Sequence, residues 1–160
     1  MGKLGEFSLP LRVFLKAYRW RRVEPVPWAP LEKPLADCRL ALVSSAGFVQ
    51  RGQPPFDESV QGGDVSFRKI PSNVDVAELV DTHRSEAFDH TGLRRDPNVA
   101  FPIDRARELV AAGRIGSVAG MHLSFMGSIT APGRLVRDTA PAAAGWLVAD
   151  NVDIALLVPV

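Results

Sequence analysis

Several stretches of the chain have the apolar pattern of β-strands. Residues 39–43 and 152–158 are short apolar runs, which are typical of strands buried in a parallel sheet. Residues 65–70 alternate apolar and polar side chains and stop at Pro71, as expected for a strand with one exposed face. A further strand is predicted at residues 117–126, and residues 74–80 fit either a strand or one helical turn, of which the strand is favoured.

Three other stretches predict helices. Residues 11–22 place apolar side chains on one helical face and end in arginines, which the helix macrodipole favours at a carboxyl end. Residues 103–112 precede Gly113, a residue that suits a left-handed cap. Residues 135–149 form the third helix despite Pro141. Because strands and helices alternate, we predict an α/β fold with a mostly parallel sheet, flanked by helices in Rossmann-like layering. Its expected core includes Phe101, Phe125, Leu156 and Val158.

A proline-rich segment separates the first predicted helix from the rest of the chain. Residues 23–34 contain four prolines, which exclude a helix and favour an extended conformation. We therefore expect residues 1–34 to form a helix and an extended Pro-rich arm. Residues 35–160 would then form the α/β domain.

The composition is typical of a globular protein with a real core. The chain has 160 residues, of which 46% are hydrophobic and 23% are charged. A net charge of +1 gives little attraction to nucleic acid or to an anionic membrane, so neither is expected as a partner. The single cysteine, Cys38, cannot form an internal disulfide, which makes a cytoplasmic location the default expectation.

The stretch from Thr82 to Arg105 interleaves charged and apolar residues. It contains His83 and His90, and Asp89 precedes the second histidine. Such a segment is held against the fold and is a candidate for lining a site. Ligand crevices of parallel sheets lie beyond the carboxyl ends of the strands, so we expect His83, His90 and His122 to converge there.

Two other kinds of site are considered for this chain, a metal site and a nucleotide-binding loop. Imidazoles with a carboxylate can bind zinc, so a metal-dependent hydrolase is kept as an alternative, although we assign no metal ligands. Gly113, Gly116 and Gly120 come after a helix and before a strand, which is the reverse of a dinucleotide-binding loop. No cofactor is therefore predicted to bind within this chain.

Six short motifs occur in a fixed order between residues 27 and 160. They are Pro27–Leu31 with Lys33–Leu35, Ala41–Gly47, Gly63–Arg68 with Ile70–Pro71, His83 leading to Phe88–Thr91, Asp96–Arg105, and His122–Gly127. In these motifs the chain resembles the glycine/sarcosine/betaine/D-proline reductase family, selenoprotein B type. The resemblance implies an α/β fold and an oxidoreductase with a disulfide as acceptor. In such enzymes a selenolate or thiolate displaces an amine from the carbon next to a carboxylate.

The resemblance also suggests roles for particular residues. His90, polarised by Asp89, would give a proton to the departing amine, and His83 completes the catalytic candidates. The substrate-binding candidates are Ser66, Arg68, Arg105, His122 and Ser124. Arg68 or Arg105 would hold the substrate carboxylate, because a guanidinium matches it with two hydrogen bonds.

Family members continue after the last strand into a Cys-x-x-Cys or selenocysteine-x-x-Cys pair. We expect that pair just beyond Val160, so that this chain is the amino-terminal part of a longer enzyme and inactive alone. The expected partners are a small-molecule substrate and either reductase subunits or a second copy of the chain. A non-catalytic binding or assembly module is the other alternative, because Cys38 is badly placed for redox chemistry.

Overall fold

The structure is a computed structural model that describes residues 8–18, 22–85 and 90–160. The chain divides into two compact units, Met1–Pro30 and Leu31–Val160. The first unit contains helix α1 (Leu9–Ala17), which ends because Tyr18 adopts an extended conformation. The predicted helix over residues 11–22 therefore has the wrong bounds at both ends.

The second unit contains seven strands and three α-helices among the described residues. The strands are β1 (Arg39–Ser44), β2 (Phe48–Val49), β3 (Phe67–Pro71), β4 (Val80–Asp81), β5 (Ser117–Val118), β6 (Met121–Phe125) and β7 (Ile154–Val158). The helices are α2 (His90–Arg95), α3 (Ile103–Ala111) and α4 (Ala140–Ala149), and a π-helical turn at Leu135–Thr139 leads into α4.

Strand β1 is the centre of a five-stranded mixed sheet. It pairs in parallel with β5 and β6 along one edge and with β7 along the other, where Leu40 lies opposite Ile154. Strand β3 pairs with β6 in the antiparallel direction, which places Arg68 opposite Ser124. Strands β2 and β4 form a separate antiparallel ribbon. The prediction of an α/β fold with a mostly parallel sheet is confirmed, while the Rossmann-like layering and the extended arm stay predictions.

Alternate side chains of the central strands enter two apolar clusters. Leu40 and Leu42 pack with Phe101 and Ile103 on one face, whereas Ala41 packs with α4 on the other. This two-sided burial explains why β1 reads as a continuous apolar run instead of an alternating one.

Two details of the sheet differ from the sequence-based expectation. The strand favoured over residues 74–80 is wrong and the alternative of one helical turn is the better one, because Val76–Glu78 form a 3-10 helix before β4 begins at Val80, and the Ala77 N–H donates to the Asp75 carboxylate at 2.9 Å. Leu156 is 44% exposed, so its assignment to the buried core is wrong. The reason is position, since β7 pairs with β1 alone among the described strands. Phe101, by contrast, is fully buried as predicted.

Within the described ranges, each helix is too short or too polar to cross a lipid bilayer.

Candidate functional site

The segment 82–85 is fixed to the carboxyl end of β1. The backbone N–H and the hydroxyl of Thr82 donate to the carbonyl of Gly47 at 3.2 and 2.6 Å. Gly47 has a φ of +68°, a left-handed conformation that favours glycine, and its own N–H donates to Phe125 O at 2.8 Å. His83 therefore lies where β1 and β6 end.

Asp81 joins His83 to His90. Its Oδ1 accepts the backbone N–H of His83 at 2.9 Å, and its Oδ2 forms a short contact with His90 Nδ1. The imidazole rings of the two histidines are 6.5 Å apart between centroids. The structure thus brings together two of the predicted catalytic residues. The carboxylate beside His90 is that of Asp81, which the sequence analysis did not identify, and Asp89 lies outside the described residues.

The two histidines have opposite electrostatic environments. The hydrogen bond to Asp81 raises the pKa of His90 above its ordinary value of 6.5. Burial lowers the pKa of His83, and the charge of Asp81 only partly offsets that effect. Near pH 6.5 the site therefore favours a protonated His90 beside a neutral His83. Paired groups whose pKa values are driven apart are typical of acid–base sites.

A cleft of about 530 Å³ opens beside His90. Its polar lining includes Asp81, His90, Arg94 and Arg95, and the two arginines come from the last turn of α2. The positive charge of Arg94 acts on His90 by lowering its pKa, which indicates that the two groups are close. Two guanidinium groups and an imidazolium are donors suited to a carboxylate or another small anion. The remaining walls are mainly apolar and include Phe48, Leu79, Leu93 and Pro97.

The predicted substrate-binding residues Ser66 and Arg68 are engaged within the protein. Arg68 donates from Nε to Pro54 O and from Nη2 to Pro55 O, both at 2.9 Å. Its Nη1 donates to Ser66 Oγ at 2.8 Å, and the Ser66 hydroxyl donates to Asp64 Oδ1 at 2.6 Å. These bonds hold the loop before β3 against the strand.

Arg105 lies on the surface of α3. Its side chain is 60% exposed, and its Nη2 contacts Glu108 Oε1 at 2.9 Å. The arginines that line the cleft are therefore Arg94 and Arg95, whereas the sequence analysis favoured Arg68 and Arg105 as carboxylate ligands.

His122 and Ser124 lie in the interior, on the face of β6 that packs towards Phe101. Both side chains are fully buried. His122 Nδ1 accepts the backbone N–H of Leu42 at 3.0 Å, and its ring meets that of Phe101 in an edge-on contact at 5.9 Å. Burial lowers the pKa of His122 to about 4. In this structure His122 is therefore a neutral core residue, and it does not share the open cleft with His90.

The cysteine lies at the opposite edge of the sheet. Cys38 is buried directly before β1, and its Sγ is 3.3 Å from the Pro34 carbonyl. Across residues 8–18, 22–85 and 90–160, no cluster of three His, Cys, Asp or Glu side chains has the arrangement of a metal site.

A second cavity, of about 450 Å³, lies at the carboxyl ends of β1, β6 and β7. Its lining is apolar except for Ser44 and Ser45 and includes Phe125, Gly127 and Leu157. A Cβ at Gly127 would lie 2.7 Å from His83 Nε2, so the imidazole ring lies close to this glycine. The apolar cavity therefore lies at the carboxyl edge of the five-stranded sheet, whereas the cleft beside His90 is lined by the β2–β4 ribbon, α2 and their neighbouring turns, and His83 is in neither lining.

Comparison with known proteins points to one family. The model of glycine/sarcosine/betaine reductase selenoprotein B matches residues 9–159 of the chain. The D-proline reductase subunit gamma of Acetoanaerobium sticklandii is 33% identical over 133 residues, which are 83% of this chain and 53% of that relative. No solved structure matches the chain.

Two more distant relatives are components of related complexes. The glycine reductase complex component B subunit gamma of Carboxydothermus hydrogenoformans is 27% identical over 82% of this chain and 30% of its own length. The sarcosine reductase complex component B subunit beta of Peptoclostridium acidaminophilum is 26% identical over 82% and 28%. The chain thus spans about half the length of the first relative and less than a third of these two.

Proposed function

Because the chain belongs to the glycine/sarcosine/betaine reductase selenoprotein B family, we propose that it serves in a reductase complex that cleaves a small amino-acid-like substrate. Its relatives are named as subunits of D-proline, glycine and sarcosine reductases, which supports a role beside partner subunits. We further propose that the cleft beside His90 is where this chain holds the substrate.

The observation that carries this proposal is the Asp81–His90 pair in a cleft with Arg94 and Arg95. A guanidinium binds a carboxylate with two parallel hydrogen bonds, so either arginine suits the substrate carboxylate. The apolar walls suit the substrate's hydrocarbon part and exclude water from it. His90 would then lie next to the amine.

The proposed role of His90 is to supply a proton to the departing nitrogen. Its Nδ1 is bound to Asp81, and its Nε2 lies 3.2 Å from the carbonyl of Ser85. We propose Nε2 as the atom that transfers the proton, which would pass from its contact with the Ser85 carbonyl to the departing nitrogen. The raised pKa keeps the ring protonated at a higher pH than an ordinary histidine, and Asp81 stabilises the imidazolium.

The overall reaction requires a reductant outside the residues described. Two thiols, or a thiol and a selenol, are oxidised to one disulfide or selenylsulfide while the C–N bond is replaced by a C–H bond and the amine leaves. Cys38 is buried at the far edge of the sheet, so we propose that this pair comes from a Cys or selenocysteine motif beyond Val160 or from a partner subunit.

Binding measurements on purified protein test the proposal directly. D-proline, sarcosine and glycine are titrated into the chain, and binding is followed by calorimetry and by the NMR signals of His90. Arg94→Ala and Arg95→Ala are compared with Arg105→Ala, which removes another exposed arginine, one that already pairs with Glu108. Losing a charged hydrogen bond costs about 1.5–3 kcal/mol, so at least one cleft variant should weaken binding by about tenfold or more.

The control variant and the set of ligands each have a result that would contradict the proposal. Arg105→Ala should bind like the wild type, and equal losses in all three variants would contradict a specific cleft. If none of the amino acids perturbs His90, the substrate site is not here, and the binding or assembly module becomes the better interpretation.

A further inference from the structure

We propose that Gly127 is a positioning residue for His83: the absence of a side chain at Gly127 lets the imidazole lie against the ends of β1 and β6. The inference rests on the proposed function only in assigning His83 to the substrate site. The geometry that supports it stands independently, in the contacts that a side chain at position 127 would make.

Space beside Gly127 is occupied by two groups. A Cβ at this position would lie 2.7 Å from His83 Nε2 and 3.0 Å from the carbonyl oxygen of Ser45. Carbon atoms do not approach nitrogen to 2.7 Å without displacement, because the interior is close-packed and repulsion is steep. The Ser45 carbonyl belongs to the backbone that follows β1, so the movable group is the ring of His83.

A second glycine lies close to the backbone of His83. A Cβ on Gly47 would lie 3.1 Å from both the backbone nitrogen and the Cα of His83. His83 is therefore held between Gly47 on its backbone side and Gly127 on its ring side. Gly47 has a positive φ, so substitution there would also strain the backbone, whereas Gly127 does not have a positive φ. Gly127→Ala thus perturbs the contact with His83 more selectively.

The contacts of His83 indicate what a displaced ring would lose. Its Nδ1 accepts the N–H of Ser85 at 3.2 Å, which leaves the proton of the neutral ring on Nε2, the atom that faces Gly127. The side chain is buried, and its backbone is tied to Asp81, the partner of His90. Moving the ring outward would break the Ser85 contact, hydrate the imidazole and change its distance from His90.

The experiment compares Gly127→Ala with Gly133→Ala. A Cβ at Gly133 meets no atom within 4 Å, so this control adds the same methyl group without a contact. Proton NMR titration of the three histidines is the readout. In Gly127→Ala the pKa of His83 should rise towards 6.5 because the ring becomes hydrated, while that of His122 stays low. Gly133→Ala should leave all three titrations unchanged.

If Gly127→Ala is poorly stable, a double-mutant cycle with His83→Ala tests the same contact through the free energy of unfolding. If the added methyl group acts through the ring, His83→Ala should restore stability to Gly127→Ala, so that the double variant is more stable than the sum of the single changes predicts. Strict additivity together with an unchanged His83 titration would overturn the inference.

Ligand binding separates this inference from the proposed function. A shifted His83 titration with weaker amino-acid binding supports both. A shifted titration with unchanged binding upholds the positioning by Gly127 and contradicts the assignment of His83 to the substrate site.

Discussion

Acidification is expected to destabilise the protein through the buried imidazole of His122. This ring has no exposed surface, accepts the N–H of Leu42, and lies against Phe101. Protonation would convert Nδ1 from an acceptor into a donor facing the Leu42 N–H, and it would place a charge in an apolar cluster. Arg107 adds a like charge that further disfavours the protonated form. Burial is thus the largest cause of the low pKa of His122, Arg107 lowers it further, and the charge of Asp150 partly opposes both.

The direction and size of the effect follow from the two protonation equilibria. An unfolded chain protonates this histidine as the pH falls below about 6.5, whereas the folded chain does so only near a pKa of about 4. Between these values the unfolded state binds more protons, so the free energy of unfolding falls as the pH falls. The loss from His122 is about 2 kcal/mol between pH 7 and pH 5, and about 3 kcal/mol by pH 4.

Urea denaturation across this pH range, on wild type and His122→Asn, measures that loss. Asparagine can present a side-chain oxygen to the Leu42 N–H near the position of Nδ1, but it does not titrate. All other groups are common to both proteins, including His83 and His90, so the difference between the two pH profiles isolates His122. The wild type should lose about 2 kcal/mol more than the variant between pH 7 and pH 5.

Two outcomes would refute this reasoning. Profiles that run parallel over the whole range would show that His122 does not titrate differently in the folded state. A His122 NMR titration midpoint near 6.5 would show that the ring is hydrated, and the assigned packing against Phe101 would then be wrong.

Two further predictions concern the core and the site. Phe101→Ala should lower the free energy of unfolding by about 3–5 kcal/mol, because the fully buried ring contacts Phe48 and His122. Val99→Ala, at a side chain that is 60% exposed, should change it by less than about 0.5 kcal/mol; similar losses in both would mean that Phe101 is not core. Asp81→Asn should lower the pKa of His90 towards 6.5 in an NMR titration, since the raised value depends first on the hydrogen bond to Asp81. In the wild type, the raised pKa of His90 stabilises the folded state below pH 6.5, and this stabilisation is lost as the pH rises through the pKa of His90 in the folded protein. Asp81→Asn should therefore lack this stabilisation in acid. An unchanged His90 titration would contradict the Asp81–His90 hydrogen bond.

The apolar pattern predicts the elements of this fold better than their places in the sheet. The run at residues 152–158 does form β7, but apolar character alone does not reveal which strands lie beside it. Because β7 pairs only with β1 among the described strands, Leu156 is 44% exposed where a central strand would bury it. At residues 74–80 the sequence pattern fitted a strand or one helical turn, and the cap that Asp75 provides stabilises a 3-10 turn there over the favoured strand.

The local sequence likewise predicts which residues belong to the site better than it predicts their partners. His83 and His90 were identified because their segment mixes charged and apolar residues, and the structure places them together. Adjacency in the sequence predicts Asp89 as the partner of His90, whereas the carboxylate that binds its ring is Asp81, which comes from β4. One local signal was present: Asp81 lies two residues before His83, the spacing at which aspartate accepts a backbone N–H and initiates a turn.

Strand alternation explains why His122 does not join the other histidines. Residues 122 and 124 point to the face of β6 that packs on Phe101, and both are fully buried there. A motif shared with a family shows that these residues occur together in the chain, but not whether they face solvent or the core. Residues outside the most recognisable motifs can also belong to the site, because Arg94 and Arg95 lie outside them and line the cleft.

The arrangement around Asp81 links the protonation of one histidine to the position of the other. One carboxylate oxygen accepts the His83 backbone and the second binds the His90 ring, so the same group that raises the pKa of His90 also fixes the segment that carries His83. Burial lowers the pKa of His83, so between the two pKa values His90 is protonated while His83 is neutral. A proton donor and a neutral imidazole can therefore coexist with ring centroids 6.5 Å apart, whereas two histidines exposed to water would titrate together. It follows that changes at Asp81 should act on both histidines, while changes at Gly127 should act first on His83.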